Sequence, residues 1–219
     1  MKQNQDVDLS IVIPALHEAE NLYYLLPQIH DVLSSLNIQV EVIIVDEFAD
    51  ENTTSVASEY QAILLQPETR GYGNALLAGF RYSHGNYIVT MDADLSHPPE
   101  FLRVFWEARD SADVLIASRY VKGGKAIMPF TRFILSKILN VFFSRGLDLG
   151  IKDMSSGYRM YSRKTIIVDN IIGTNFNILQ ELLVKSLANG FQYVKYLLRI
   201  CRAGKVLLMR EYSSLGFLT

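Results

Sequence analysis

Leu9-Ser10-Ile11-Val12-Ile13-Pro14 and Val40-Glu41-Val42-Ile43-Ile44-Val45-Asp46 bracket a segment, Ala19 to Leu36, in which Leu22, Leu25, Leu26, Ile29, Val32, Leu33 and Leu36 recur at helical spacing. The two short apolar runs, one stopped by a proline and the other by an aspartate, read as buried strands, and the segment between them as a crossover helix. The pattern continues downstream. A strand is expected at Ala62 to Leu65, a helix from Gly73 to Ser83, a strand from Tyr87 into Asp92, a helix started by Pro98 or Pro99, and a strand at Val114 to Ser118. Such alternation predicts an α/β fold with a mostly parallel central sheet and helices on both faces. Sheets of this kind bind ligands outside the carboxyl ends of their strands, where Pro14, Asp46, Asp92 and Arg119 fall.

With 219 residues, 49% of them hydrophobic, the chain can bury a full core and is most simply one domain, 1–219. The formal charge of −2 supplies no basic field for nucleic acid. A single cysteine, Cys201, excludes an intramolecular disulfide framework and a cysteine-rich metal site, which fits a reducing compartment. No secretory signal is visible in the polar stretch Met1 to Asp8, and no apolar run reaches 18 residues, so a membrane span is not expected.

In Tyr87-Ile88-Val89-Thr90-Met91-Asp92-Ala93-Asp94 a buried strand runs into two carboxylates separated by one small residue. A turn at Ala93 lets both approach one hard cation, which prefers oxygen ligands and keeps part of its coordination shell for substrate phosphate. Surface Asp-x-Asp turns are common, so the pair gains weight from its surroundings. Pro14-Ala15-Leu16-His17-Glu18 replaces the G-x-G-x-x-G turn of a dinucleotide-binding domain, Gly71-Tyr72-Gly73 comes too late to supply it, and no G-x-x-x-x-G-K-[ST] loop exists. Without a glycine-rich phosphate cradle, a metal at Asp92 and Asp94 is the expected neutraliser of a nucleoside diphosphate.

Taken in order, several segments resemble the inverting glycosyltransferases of family 2, which have a GT-A fold. They are Val12 to Leu22, Val45-Asp46-Glu47, Arg70-Gly71-Tyr72-Gly73-Asn74-Ala75, Met91 to Pro99, Ser118-Arg119-Tyr120 and Asp153 to Arg159. Within that family they are similar to the dolichol-phosphate mannose synthase-like, or polyprenyl-phosphate sugar transferase, branch. The resemblance runs from Leu9 to about Gln192. It implies a nucleotide-sugar-binding half, 1–120, and an acceptor-binding half with membrane-surface contact, 121–219. Pro14, Ala15 and Glu18 would meet the nucleoside, with Asp46 near the base. Glu47 stands where a second aspartate is usual, and Phe48-Ala49-Asp50 replaces a small turn. Asp92 would touch nucleotide and metal and Asp94 would be the principal ligand of Mg²⁺ or Mn²⁺.

On the acceptor side, Arg132 and Ser136 are four apart in a predicted helix and can converge on one phosphate. The resemblance implies acceptor-phosphate contacts there and at Arg119, and Arg159 is a further candidate. The aromatic run around Phe130, Phe133, Phe142 and Phe143 reads as core or as an interfacial helix beside a lipid entrance. A lipid monophosphate, whose second ionisation lies at about pH 6, attacks without a base. A hydroxyl acceptor needs one, and Asp153 is the family-placed candidate. The resemblance thus implies transfer of a hexose, mannose or glucose, from a GDP- or UDP-sugar to polyprenyl or dolichyl phosphate. The expected location is peripheral, at the cytoplasmic face of a membrane, and a membrane-protein partner is left open. Two alternatives stand beside it: a family 2 transferase acting on a glycan or small hydroxyl acceptor, and an inactive lipid-binding or scaffold homologue. In the Tyr193 to Arg210 stretch the branch's usual strand with its basic loop is not recognisable, and Arg199, Arg202 and Arg210 read either as phosphate or membrane-surface contacts or as the decoration of an amphipathic element.

Overall fold

The computed structural model describes residues 7–118, 156–169, 171–197 and 210–212. Its elements in chain order are β1 (Leu9–Ala15), α1 (Ala19–Ser34), β2 (Val40–Asp46), α2 (Glu51–Glu59), β3 (Ile63–Leu65), α3 (Tyr72–Tyr82), β4 (Tyr87–Thr90), α4 (Phe101–Ala108), β5 (Val114–Ser118), β6 (Arg159–Ser162), α5 (Asn177–Ala188), β7 (Tyr193–Leu197) and β8 (Arg210–Tyr212). The described strands form one sheet in the order β3-β2-β1-β4-β6-β5-β7-β8. The β1–β2, β1–β4 and β2–β3 pairs are parallel, as expected, and β5–β7 is parallel as well.

Pro14 does not stop β1. The strand pairs with β4 only over Leu9–Val12 but with β2 over Leu9–Ala15, so Pro14 lies past the β4 ladder, where its missing N–H costs no β4 hydrogen bond. The prolines at 98 and 99 do start α4, their carbonyls accepting from the N–H groups of Phe101 and Leu102. α2 is capped by Asp50, whose side chain accepts from Thr53 N at 2.8 Å.

Two features differ from expectation. β6 returns antiparallel and inserts between β4 and β5, pairing Thr90 with Arg159 and Ile116 with Arg159. The Tyr193 stretch opens as a strand, β7, where the sequence shows no recognisable one. Ser155-Ser156-Gly157 and Asn189-Gly190 mark turns before these segments, but each run is too short to declare a strand, and pairing with an existing sheet edge decides its conformation.

Strand alternation divides the core between two faces. Leu9, Ile11 and Ile13 pack with Leu22, Leu25, Leu26 and Ile29 of α1 and with Phe101, Leu102 and Phe105 of α4. Val12, Ile43 and Val45 pack on the other face with Leu76 and Phe80 of α3 and with Ile178, Leu179, Leu182 and Leu183 of α5. Each fully buried Leu, Ile or Phe contributes roughly 1.5–3 kcal/mol of transfer free energy. α3 approaches β1 so closely that a Cβ on Gly79 would stand 2.3 Å from Val12 Cγ1. Gly79→Ala should therefore lower unfolding free energy by about 1–3 kcal/mol through overpacking, despite alanine's better helix propensity. Urea denaturation checks this, and an unchanged or higher midpoint would contradict the packing described.

Candidate active site

The carboxyl ends of β1, β2 and β4 lie side by side, and the residues following them build the site. Ala15, the buried last residue of β1, is paired with Asp46, the last of β2, and Pro14 beside it is half-buried. Asp46 is 1% exposed, with Oδ1 accepting from Phe48 N at 3.0 Å and Oδ2 from Thr53 Oγ1 at 3.0 Å. Its carboxylate thus fixes the turn between β2 and α2. Glu18, half-buried at the start of α1, accepts from the Asn21 side chain.

Glu47 bridges two loops. Its Oε1 accepts from Gly71 N at 2.6 Å, its Oε2 lies 4.0 Å from Arg70 Nε, and its carbonyl accepts from Gln66 at 2.9 Å. The longer carboxylate thereby ties the end of β2 to the loop before α3. Phe48 stacks on His17 at 4.6 Å between centroids and 20° between planes, and the Arg70 guanidinium lies 5.1 Å from the Phe48 centroid. A ring and a cation from the loops after β1 and β3 thus gather on an exposed aromatic after β2.

Asp92 sits just past the end of β4 with its side chain 28% exposed. Its Oδ1 accepts from Tyr72 Oη at 2.9 Å, and its backbone N–H donates to His97 Nδ1 at 2.9 Å. Burial first, and then the Asp92 carboxylate, push the Tyr72 phenol well above its ordinary range, so this hydroxyl remains a donor. Gly157 closes the other side, since a Cβ there would lie 3.0 Å from both Asp92 oxygens. Asp94 is exposed, and its Oδ1 accepts from Ser96 N at 3.0 Å across a turn in which Leu95 has φ 60°. Among the described residues no group of three His, Cys, Asp or Glu side chains converges as a metal cage.

Arg159 departs from expectation. It is fully buried, with Nε donating to Ser156 O at 2.8 Å and Nη1 to Leu179 O at 2.6 Å. These bonds brace β6 against α5. Arg119, Arg132, Ser136 and Asp153 lie outside the described residues. Tyr72, His97, Gly157 and Phe176 join the site without having been singled out as site residues. Tyr72 stacks on Phe176 at 4.3 Å, and the segment before α5 is latched onto α3 by Gly73 N donating to Thr174 O at 2.9 Å. No periodicity marks such contacts between distant segments.

The family described as Glycosyl transferase family 2 matches residues 10–167. A dolichol-phosphate mannosyltransferase of Pyrococcus furiosus is 33% identical over 188 residues, covering 81% of this chain and 52% of that protein. The chain thus spans about half the length of that relative. A polyprenol monophosphomannose synthase of Mycolicibacterium smegmatis is 32% identical over 200 residues, covering 84% of this chain and 74% of that protein. Among solved structures, glucosyl-3-phosphoglycerate synthase of Mycobacterium tuberculosis superposes with TM-score 0.66 at 19% identity, covering 90% of this chain and 73% of that one. A structure of the same enzyme holding Mn²⁺, UDP and glucosyl-3-phosphoglycerate gives TM-score 0.64 at 18% identity, covering 84% and 66%. These likenesses support the GT-A fold.

The latch rests on Glu181, whose carboxylate accepts from Ile172 N at 3.0 Å and Gly173 N at 2.7 Å and pairs with Lys185 at 2.9 Å. Burial alone would raise its pKa, but the Lys185 bond and the two N–H donors together hold it below the ordinary carboxylate value. A depressed folded-state pKa contributes stability that is present above the unfolded value and is lost as pH falls through the folded one. Glu181→Gln should cost about 1 kcal/mol near neutral pH, the low end for a charged hydrogen bond because Lys185 is partly solvated. In urea titrations the difference from the parent protein should shrink as pH falls through the carboxylate range, and a pH-independent difference would contradict the charge assignment.

Proposed function

Because the chain belongs to glycosyltransferase family 2, we propose that it transfers a sugar from a nucleoside diphosphate sugar to an acceptor oxygen, with inversion at the anomeric carbon. The observation that carries this reading is Asp92, held between Tyr72 and Gly157 just past β4 with Asp94 on the turn that follows. The donor nucleoside is assigned to the loops after β1 and β2, at Pro14, Ala15, Glu18, Asp46 and Glu47. The exposed Phe48 stack is a flat apolar element at that rim.

Asp92 and Asp94 fit a Mg²⁺ or Mn²⁺ ion chemically, being hard oxygen donors with solvent access. Bound there, the ion would offset charge on the departing diphosphate. Asp92 is oriented for that task by Tyr72. In the transfer the acceptor oxygen forms a bond to the anomeric carbon on the face opposite the leaving group, and the carbon–oxygen bond to the diphosphate breaks with its electron pair.

For the acceptor, a small hydroxyl-bearing molecule is the better-supported class. Arg159, one of the expected phosphate readers, is committed to backbone carbonyls, and the glucosyl-3-phosphoglycerate synthase structures share the fold. The hydroxyl proton then needs a base, and Asp153 is the proposed one. Polyprenyl or dolichyl phosphate is the second reading, favoured by the names of the two sequence relatives. It retains Arg119, Arg132 and Ser136 as phosphate contacts and places the protein at the cytoplasmic face of a membrane. No helix among the described residues is long and apolar enough to cross one.

Purified protein with Mn²⁺ or Mg²⁺ should be assayed against UDP- and GDP-hexoses, with phosphorylated hydroxy acids, other small polyols and polyprenyl phosphate as acceptors. A water-soluble glycoside supports the first reading and a chloroform-soluble sugar lipid the second, while failure to bind or consume any donor overturns both. Chelation of the metal should abolish turnover and Mn²⁺ should restore it. Asp94→Asn should lower kcat about 100-fold with little change in melting temperature, since it removes charge but keeps volume. Unchanged turnover and metal dependence in that variant would remove Asp94 from the metal site.

A further inference from the structure

We infer that His97 is a positioning residue for the transfer reaction, acting through Asp92; this rests on the donor-side role proposed above for that carboxylate. The β4 ladder with β1 runs to Thr90, and Met91 N still donates to Val12 O at 3.0 Å. At Asp92 the next backbone donor turns to a side chain, His97 Nδ1, at 2.9 Å. The imidazole therefore closes the loop 92–97 in place of a strand, and that loop carries both Asp92 and Asp94. An acceptor at Nδ1 has no proton, which puts the ring proton on Nε2. Nε2 faces the same residue's carboxylate, 3.6 Å from Oδ2, while Tyr72 donates to Oδ1.

The ring itself has no freedom to turn. His97 is 1% exposed and stacks on Tyr158 at 4.8 Å and 16°, and Tyr158 is buried with its hydroxyl donating to Pro98 O at 3.1 Å. A histidine kept only for packing would be matched by any flat ring of its size. Here one nitrogen fixes the Asp92 backbone and the other faces its carboxylate, so a single rigid ring sets both the position and the direction of the carboxylate. A side chain that orients a metal-binding carboxylate from behind is worth about 10- to 100-fold in metal affinity or activity.

The test compares His97→Phe, which keeps the stack and removes both nitrogens, with His97→Asn, whose side-chain oxygen can still accept from Asp92 N–H. Calorimetry with UDP or GDP and Mn²⁺ should show nucleotide–metal affinity falling about 10- to 100-fold in His97→Phe and recovering in part in His97→Asn, with kcat following and acceptor KM unchanged. ¹⁵N NMR of the parent protein should show the Nε2–H tautomer. Affinity in His97→Phe equal to that of the parent overturns the inference, as does an equal loss in both variants that tracks their loss of melting temperature. If His97→Phe fails to fold, the tautomer decides, and a proton on Nδ1 overturns the geometry. A parent protein that binds neither UDP nor GDP sinks the donor reading instead, and leaves the tautomer as the test of the His97 contact.

Discussion

A guanidinium with no solvent contact can remain in a protein core only if its N–H groups find acceptors there, and Arg159 finds them in the carbonyls of Ser156 and Leu179. That requirement ties the start of β6 to α5. It also fixes where the chain re-enters the sheet. With Thr90 Oγ1 donating to Gly157 O at 2.6 Å and Ser156 Oγ donating to Ala117 O at 2.6 Å, the segment 156–159 is stitched to the ends of β4 and β5 together. Gly157 then lies against the Asp92 carboxylate with no room for a side chain. The arginine that sequence reasoning assigns to a substrate is thus what the architecture of the site leans on.

The parallel half of the fold was legible because its signals are local. Apolar runs of strand length, a helix-period stripe from Leu22 to Leu33, and the Asp-Ala-Asp step beyond β4 each declare themselves within a short window. The antiparallel insertion of β6 was not legible, since Arg159-Met160-Tyr161-Ser162 looks like a strand only once β4 and β5 stand on either side of it. The same limit applies at the site. Asp46, expected near a base, also holds the turn after β2 through Phe48 N and Thr53 Oγ1, partners that no short window of sequence declares. His97 carries no such local signal, because nothing in a linear sequence says that a side chain five residues downstream will take the hydrogen bond a strand would have taken.

Glu47 and Phe48 show how a departure from the family pattern can be absorbed locally. The extra methylene of glutamate over aspartate lets Glu47 span from the end of β2 to Gly71 N, and the bulk of Phe48 is covered from the loops after β1 and β3 by His17 and Arg70. Three loops that could move separately are joined by one charged hydrogen bond and a stacked group. A rim assembled this way is more preorganised than one built on a small, flexible turn, at the cost of some room beside the end of β2.

Because β6 runs antiparallel to β5, the end of β5 at Ser118 and the start of β6 at Arg159 lie on the same edge of the sheet, the edge that carries Asp92. The rim around Asp92 is thus held by strands running in both directions, so that a break in either β4 or β6 would loosen the same carboxylate.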